Sequence, residues 1–264
     1  ISSGLVGSEM CIRDRVYVNG KNVGEHIGGY IGFNLDITDA VKEGKNQILV
    51  YANNGYNPEV IPSQKSDFFI YGGITRDVWL KTLPAEHIND LKITTPKVTS
   101  SNAALNAKVL ITNPKNNKLS VEAVLADNDG NMIKTAVFDV VDNSADINFT
   151  KITNPKLWDT KNPYLYNLTV ALVKDGKTID EVNENVGFRW FEFKDYGAFY
   201  LNGRRLKLRG THRHEEHAGV GSAMSNIQHR TDMELIKEMG ANFVRLAHYP
   251  QDPEIYKACD ELGI

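Results

Sequence analysis

At RRLKLRGTHRHEEH (residues 204–217) the sequence pattern of the chain changes. Up to this point apolar and polar residues alternate with the period of β-strands. RRLKLRGTHR has the composition of a buried strand, and it is followed by QHRTDMELIKEMGA (residues 228–241), whose apolar residues recur at helical spacing. A second strand, NFVRLAHYP (242–250), and a second helix, DPEIYKACDELG (252–263), come next. This order predicts a parallel sheet, as in the first two of the eight βα units of a barrel.

Both predicted helices carry recognisable sequence signals. An apolar face of the first helix is formed by Met233, Ile236 and Met239. The second helix has Pro253 in its first turn and Gly263 at its end, which is the usual asymmetry of helix termini. These signals support two helices between and after the two strands.

Two blocks of β pattern precede this region. In residues 16–85 the dipeptide Asn19-Gly20 predicts a tight hairpin, and further strands follow in FNLDIT, NQILVYANN and DVWLKTL. In residues 86–188 about seven short alternating strands are separated by turn signals such as Asp129-Gly130 and Asp175-Gly176. This number and spacing predict an immunoglobulin-like β-sandwich. The absence of a Cys–Trp–Cys framework excludes an antibody-type domain.

The composition excludes several classes of protein. The chain has 264 residues, of which 41% are hydrophobic and 24% charged, and its formal net charge is −3. Such a balance gives no reason to expect nucleic acid or an anionic membrane as a partner. No apolar run approaches the roughly 20 residues of a membrane span. Cys11 and Cys259 lie in unrelated contexts and predict no disulfide framework, so we expect a soluble globular protein.

Both ends of the sequence are abrupt. Residues 1–15, ISSGLVGSEMCIRDR, show neither a strand period nor a helix period, and we expect them to be a foreign or artefactual leader outside the fold. The last residues, YKACDELGI, stop where a helix would lead into another strand. Because an export signal would lie upstream, the sequence leaves the localisation open.

A histidine-rich loop follows the first strand of the βα region. His212, His214 and His217 lie beside Glu215 and Glu216, and this composition suits a metal site, an acid–base centre or a plain polar loop. HEEH does not have the H-E-x-x-H spacing of a zinc helix, and it lies in a strand-to-loop context. Its position after a strand and before a helix corresponds to the catalytic face of a βα barrel, which favours a functional loop.

Two further groups of polar residues carry possible chemistry. Arg245 and His248 lie at the end of the second strand of the βα region, where a structural salt bridge is the alternative to binding a polyhydroxylated or anionic ligand. In SDFFIYGGITRDVWL, Asp67 precedes a run of aromatic residues and is a candidate for ligand contact. Arg76 and Asp77, by contrast, indicate an ion-paired tight turn.

In this order, the three groups of residues resemble glycoside hydrolase family 2, which contains β-galactosidases, β-glucuronidases and β-mannosidases. VNGKNVGEHIGGYIGFNLDIT and DFFIYGGITRDVWL resemble the jelly-roll sugar-binding domain of the family. GFRWFEFKDYGAFYLNGRRLKLRGTHRHEEH resembles the junction into its barrel, and MGANFVRLAHYPQDPEIYKACDELGI resembles its signature. The resemblance covers residues 16–264.

The resemblance implies a multidomain chain that is mainly β and then α/β. Residues 16–85 would be the C-terminal part of a jelly-roll β-sandwich, and residues 86–188 the immunoglobulin-like β-sandwich. Residues 189–264 would be the first two βα units of a TIM barrel. Within the family, IPSQKSDFFIYGGI looks most similar to the β-galactosidase branch.

The resemblance also implies roles for individual residues. Asp67, His214 and His248 would bind the sugar, and Arg245 would orient the nucleophilic carboxylate and keep it ionised. The catalytic residues of the family are two glutamates, an acid/base and a nucleophile, and we expect both beyond Ile264. Glu215 and Glu216 are not this pair, because neighbours on one loop cannot flank a glycosidic bond from opposite faces. His212 takes the place of the asparagine that is more usual in the family, and no role is carried over to it.

For the protein, the resemblance predicts a retaining, exo-acting hydrolase of terminal β-glycosidic bonds. We expect a β-linked oligosaccharide or glycoside as the ligand, no cofactor and no metal in this chain, and no hydrolysis by the chain alone. Full-length members of the family can bind a divalent cation and are often homo-oligomeric. The alternative is a non-catalytic carbohydrate-binding β-sandwich protein with a vestigial barrel segment.

Overall fold

A computed structural model describes residues 2–7, 13–60 and 68–264 of the chain. The chain divides into two compact units, and each combines segments that are distant in the sequence. The first unit comprises Ile1–Leu83, Thr211–Leu235 and Val244–Tyr256. The second comprises Pro84–Gly210, Ile236–Phe243 and Lys257–Ile264.

The N-terminal part of the first unit contains two antiparallel three-stranded sheets. Its strands are β1 (Ser2–Gly7), β2 (Arg13–Val18), β3 (Lys21–Ile27), β4 (Phe33–Asp36), β5 (Ile48–Asn53) and β6 (Trp79–Leu83). The orders of the strands are β4-β1-β6 and β3-β2-β5. The hairpin between β2 and β3 turns through Asn19-Gly20, whose φ angles of 52° and 83° confirm the predicted tight turn. Val16 and Val18 of β2 are buried and pack against Leu35 of β4.

The sequence indicated no strand before Val16, and this was wrong. β1 covers Ser2–Gly7 and pairs with β4 on one edge and β6 on the other, and β2 already begins at Arg13. SSGLVG is short and rich in glycine and serine, so backbone pairing with its neighbours rather than a side-chain period defines this strand. The foreign origin of residues 1–15 stays a prediction.

The second unit contains the predicted immunoglobulin-like sandwich. Its strands are β7 (His87–Val98), β8 (Asn102–Thr112), β9 (Ser120–Ala126), β10 (Met132–Asp139), β11 (Ser144–Thr153), β12 (Trp158–Asp159), β13 (Asn162–Pro163), β14 (Tyr166–Lys174) and β15 (Lys177–Val186). Seven of them form two antiparallel sheets in the orders β10-β9-β14-β15 and β11-β8-β7. Leu105 and Ile147 from one sheet and Leu125 and Leu168 from the other are fully buried in a common core.

A small antiparallel sheet that the sequence did not predict follows the sandwich. It consists of β16 (Phe191–Phe193), β17 (Phe199–Leu201) and β18 (Arg204–Leu206) in that order. The prediction of one strand over RRLKLRGTHR was therefore wrong, because only its end belongs to the βα region, as β19 (Gly210–Arg213). β19 begins at a glycine since a Cβ on Gly210 would overlap the carbonyl oxygen of Phe243.

The predicted strand–helix–strand–helix order is confirmed. β19 is followed by α1 (Asn226–Glu238), β20 (Phe243–Leu246) and α2 (Pro253–Leu262). The N–H of Asn242 donates to the Arg209 carbonyl at 2.9 Å and that of Ala247 to the Arg213 carbonyl at 3.0 Å. Both partners advance together along the chain, so β19 and β20 run parallel.

Local capping explains where α1 begins and ends. Before α1, the Ser225 and Gln228 side chains each bond the other's backbone N–H, which is a capping box. Met233 is fully buried, as predicted, but Met239 lies beyond the end of α1 and is 66% exposed. Gly240, with φ of 87°, has the left-handed conformation that ends a helix, so Met239 lies outside α1 and is not part of its apolar face. No helix in the described ranges is long and apolar enough to cross a membrane.

Candidate active site

Two of the predicted sugar-binding residues meet at the carboxyl ends of the parallel strands. His214 follows β19 directly, and His248 lies two residues after β20. Their rings are nearly perpendicular, with centroids 5.1 Å apart. Phe68 lies against both, at 5.5 Å from the His214 ring and 6.3 Å from the His248 ring. These three rings form one wall of a candidate sugar site.

The other predicted site residues differ in how they are placed. Arg245 is part of β20 and is exposed. Asp67 falls in residues 61–67, which are outside the described residues. The His212 ring centroid is 6.5 Å from that of His214, while His217 is exposed and its Nδ1 lies 2.9 Å from the carbonyl oxygen of Ala218. The three histidines of this histidine-rich stretch therefore do not point at a common centre.

A buried ion pair lies directly beside these histidines. Nη2 of Arg76 donates to Oε2 of Glu215 at 2.6 Å, and the two side chains are only 5% and 2% exposed. The same guanidinium donates to the carbonyl oxygens of Tyr30, at 3.0 Å, and Pro250, at 2.8 Å. The sequence predicted an ion pair for Arg76 but gave no partner, because Glu215 lies 139 positions further along the chain.

Glu215 also makes two hydrogen bonds to the loop after β20. Its backbone N–H donates to the hydroxyl of Tyr249 at 3.0 Å, and its Oε1 accepts the N–H of Asp252 at 2.8 Å. The Tyr249 ring stacks on that of Tyr30 with centroids 3.8 Å apart. Burial and the nearby Glu215 carboxylate raise the pKa of both tyrosines, so each hydroxyl stays protonated.

Arg213 lies at the centre of a second buried network, which was not predicted from the sequence. Its guanidinium bonds the Asp232 carboxylate at 2.7 Å, Oε1 of Gln251 at 2.7 Å and Nδ1 of His229 at 3.1 Å. The Gln251 side chain donates back to the carbonyl oxygens of Arg213 and Ala247. Alternation along β19 was the available signal: if His212 and His214 face one side, Arg213 must face the other.

His229 is fully buried, and its proton can be assigned. Since a guanidinium only donates, Nδ1 of His229 accepts from Arg213, and the neutral ring carries its proton on Nε2. Nε2 lies 3.6 Å from Oε1 of Glu215. Burial lowers the pKa of His229 more than the nearby carboxylates raise it, so the ring is neutral near neutral pH.

These assignments also decide whether the cluster suits a cation. Glu215, His229 and Asp252 bring potential ligand atoms within 4.8 Å of one another. However, Nε2 of His229 carries a proton and offers no lone pair, and a carboxylate oxygen of Glu215 is already neutralised by Arg76. The divalent cation that the family resemblance implies for full-length members therefore does not fit this group.

The chemistry that the described site can perform is the binding of hydroxyl groups. Two imidazoles side by side can each donate or accept a hydrogen bond, and an aromatic ring suits the apolar face of a sugar. Glu215 is occupied by Arg76, and Glu216 is exposed on the same loop. Neither is placed to work as one of two carboxylates on opposite faces of a glycosidic bond.

Comparison with known families gives matches along nearly the whole chain. The model of the "Glycosyl hydrolases family 2, sugar binding domain" matches residues 8–84. The model of "Glycosyl hydrolases family 2" matches residues 86–189, and that of the "Glycosyl hydrolases family 2, TIM barrel domain" matches residues 191–264. The three models follow the order of the β blocks and the βα region.

Individual relatives agree with the family models. A Formosa agariphila protein named "Putative beta-glucuronidase" is 65% identical over 96% of this chain and 31% of its own length. A β-galactosidase of Thermoanaerobacter pseudethanolicus is 37% identical over 95% of this chain and 34% of its own length. The crystal structure of a Bacteroides uniformis β-glucuronidase covers 100% of this chain and 33% of that one, with a TM-score of 0.95 at 33% identity. The chain thus spans about a third of the length of these relatives.

Proposed function

Because the chain belongs to glycosyl hydrolase family 2, we propose that it supplies the sugar-binding part of the active site of a retaining, exo-acting β-glycosidase. The observation that carries the proposal is the meeting of His214 and His248 at the carboxyl ends of two parallel strands, 5.1 Å apart. In a βα barrel this is the end at which substrates bind. The acid/base and the nucleophilic glutamate would come from barrel strands that follow Ile264.

His214 and His248 would hydrogen-bond hydroxyl groups of the terminal sugar. Such bonds accelerate hydrolysis only as far as they strengthen when the ring flattens towards the oxocarbenium-like transition state. Arg245, which is exposed on β20 three residues before His248, would orient the nucleophilic carboxylate and hold it ionised. Asp67, which precedes Phe68 in the sequence, would contact sugar hydroxyls.

Two substrates are proposed for direct comparison. The family relative with 65% identity is named as a β-glucuronidase, which favours a β-glucuronide. The resemblance of IPSQKSDFFIYGGI to the β-galactosidase branch favours a β-galactoside, and a β-galactosidase is 37% identical to the chain. The two sugars differ in the configuration of the hydroxyl at C4 and in the group at C6, where a glucuronide carries a carboxylate that requires a cationic or hydrogen-bonding partner.

The first test is made on the chain itself. Imidazole signals of His214 and His248 are followed by NMR while methyl β-glucuronide or methyl β-galactoside is added. We expect both signals to shift with one of the sugars, while those of His26 and His87 stay unchanged. Unchanged His214 and His248 signals with both sugars would contradict the proposed function.

The second test concerns hydrolysis. We expect the gene to continue past codon 264 into further barrel strands with two glutamates, and the complete enzyme to release the sugar with retained anomeric configuration. In that enzyme Arg245→Ala or His248→Ala should lower turnover on the order of 10²-fold or more. His217→Ala, in the same loop as His214, is the matched control and should leave turnover unchanged. A stop codon after Ile264 would instead favour a binding-only protein.

A further inference from the structure

We propose that the buried Arg76–Glu215 pair is a positioning device that fixes the rings of His214 and His248 relative to each other. The inference rests on the proposed function, since it assigns these rings to sugar binding. Arg76 and Glu215 touch no sugar themselves in this proposal. They act through the two loops that carry the histidines.

Arg76 connects three separate stretches of the first unit. One guanidinium nitrogen bonds the Tyr30 carbonyl at 3.0 Å, and the other bonds Glu215 at 2.6 Å and the Pro250 carbonyl at 2.8 Å. Glu215 is the residue after His214, and Pro250 lies two residues after His248. A single planar group therefore holds both histidine loops in fixed directions.

Glu215 reinforces the same connection from the other side. Its Oε1 accepts the Asp252 N–H at 2.8 Å, and its own N–H donates to the hydroxyl of Tyr249 at 3.0 Å. Tyr249 is next to His248, and its ring centroid lies 5.9 Å from that of His214. The loop after β19 and the loop after β20 are thus joined by hydrogen bonds immediately beside each sugar-facing histidine.

Because the pair is buried, its effect on the direction of the loops can be distinguished from its effect on stability. A buried ion pair is a weak stabiliser relative to well-packed apolar residues of similar volume, because desolvation of two charges offsets their attraction. What apolar residues cannot reproduce is direction, since they make no hydrogen bond to the Pro250 carbonyl or the Asp252 N–H. Replacement of both charges together should therefore keep the fold and release the loops.

The test compares the wild-type chain with Arg76→Met/Glu215→Met by NMR. In the ligand-free wild type we expect nuclear Overhauser contacts between the His214 and His248 rings, which are 5.1 Å apart. In the double variant we expect the chain to stay folded with a lower thermal midpoint, because the Tyr30 and Pro250 carbonyls and the Asp252 N–H lose their partners, and we expect these ring contacts to be lost. Lys174→Met/Glu86→Met removes a partly buried ion pair of the immunoglobulin-like unit and should leave both rings unchanged. Retention of the ring contacts in a folded Arg76→Met/Glu215→Met variant would overturn the proposal.

Arg76→Lys provides a second variant if the double replacement fails to fold. Lysine keeps the positive charge beside Glu215, but its single nitrogen cannot serve Tyr30, Glu215 and Pro250 in the geometry of a guanidinium fork. We expect this variant to fold with weakened ring contacts and with sugar affinity below that of the wild type. Unchanged contacts and unchanged affinity would overturn the positioning role.

Failure of the proposed function gives a different result. If the wild-type rings are in contact and the double variant loses that contact, but no sugar shifts the imidazole signals of the wild type, the pair positions the rings and the sugar assignment falls. If sugar binding is seen in the wild type and survives intact in the double variant, the proposed function stands and the positioning role falls. In the complete enzyme the double variant should lower kcat on the order of 10²-fold with a smaller change in KM.

Discussion

Replacement of Arg213 by methionine tests the second buried network directly. The Arg213 side chain is 6% exposed, and its guanidinium donates to Oε1 of Gln251 and Nδ1 of His229. Methionine has a similar volume and no N–H donor, so both acceptors would be left buried without a partner. The Asp232 carboxylate, whose side chain is 31% exposed, can turn to water instead and adds little.

The expected loss in the free energy of unfolding follows from the number of buried acceptors left without a donor. Each buried acceptor without a donor costs about 1–3 kcal/mol, so two of them predict a loss of about 2–6 kcal/mol. A whole domain is stable by only about 5–15 kcal/mol, so much of the stability around α1 and β20 should disappear. Arg213→Lys retains the charge and one set of donors, and we expect an intermediate loss.

Hydrogen exchange read by mass spectrometry locates the effect. Amide exchange in α1 and in residues 247–252 should accelerate by roughly 30-fold to 10⁴-fold, since about 1.4 kcal/mol corresponds to a factor of ten. Strands β8 and β14 of the second unit serve as internal controls. Arg15→Met removes an exposed pair with Glu25 and should change no segment beyond its own hairpin. Wild-type protection of α1 in Arg213→Met would refute the network as we describe it.

Three further predictions concern the folded chain. Below about pH 6.5 an unfolded histidine takes up a proton, whereas the lowered pKa of His229 keeps its ring neutral in the fold, so stability should fall as the pH falls. In thermal unfolding, His229→Gln should reduce this loss of stability at acid pH. An unchanged dependence on pH would contradict the assignment. Gly210→Ala should lower the thermal midpoint, because a Cβ at this position would overlap the Phe243 carbonyl oxygen, whereas Thr211→Ala adds no new Cβ and should leave the midpoint unchanged. Leu168→Ala, at a fully buried position of the sandwich core, should cost about 2–5 kcal/mol in urea unfolding, and a cost within error of zero would exclude it from the core.

The elements that the sequence predicted well are those defined by local signals. Asn19-Gly20 requires two residues in the left-handed region, and no other part of the chain is needed to predict that turn. The seven sandwich strands alternate strongly, as in β8, where buried residues occupy every second position over most of its length. α1 and α2 carry their own caps. In each case the information lies within a few residues of the element it determines.

The elements that were missed depend on distant backbone. β1 shows no period of its own and exists as a strand because β4 and β6 pair with both of its edges. The boundary between β18 and β19 is set by the close approach of the Phe243 carbonyl to Gly210, more than thirty positions away in the printed sequence. The dipeptide Asn202-Gly203, with φ angles of 51° and 74°, was a usable signal for the hairpin between β17 and β18.

The candidate site shows the same division. That His214 and His248 would lie together could be predicted, because carboxyl ends of neighbouring parallel strands meet at one edge of a sheet. That Glu215 would pair with Arg76, or Arg213 with Asp232, could not, since a charged residue in a sequence gives no indication of which opposite charge it will find. The sequence therefore predicted which two histidines would lie together, while the groups that hold them emerged only from the fold.

The two networks explain how His214, which is half-buried, and His248, which is exposed, can have defined positions. A loop held by apolar contacts can slide, because dispersion has little directional preference. The loops after β19 and β20 are instead fixed by hydrogen bonds from two buried guanidiniums, each of which also neutralises one carboxylate, Arg76 with Glu215 and Arg213 with Asp232. The positive and negative charges balance within each network, so their burial is tolerable in a way that an isolated charge would not be. It follows that apolar replacement of a whole pair should cost less stability than removal of one partner alone, because only the single replacement leaves a buried charge unpaired, whereas both should release the two loops.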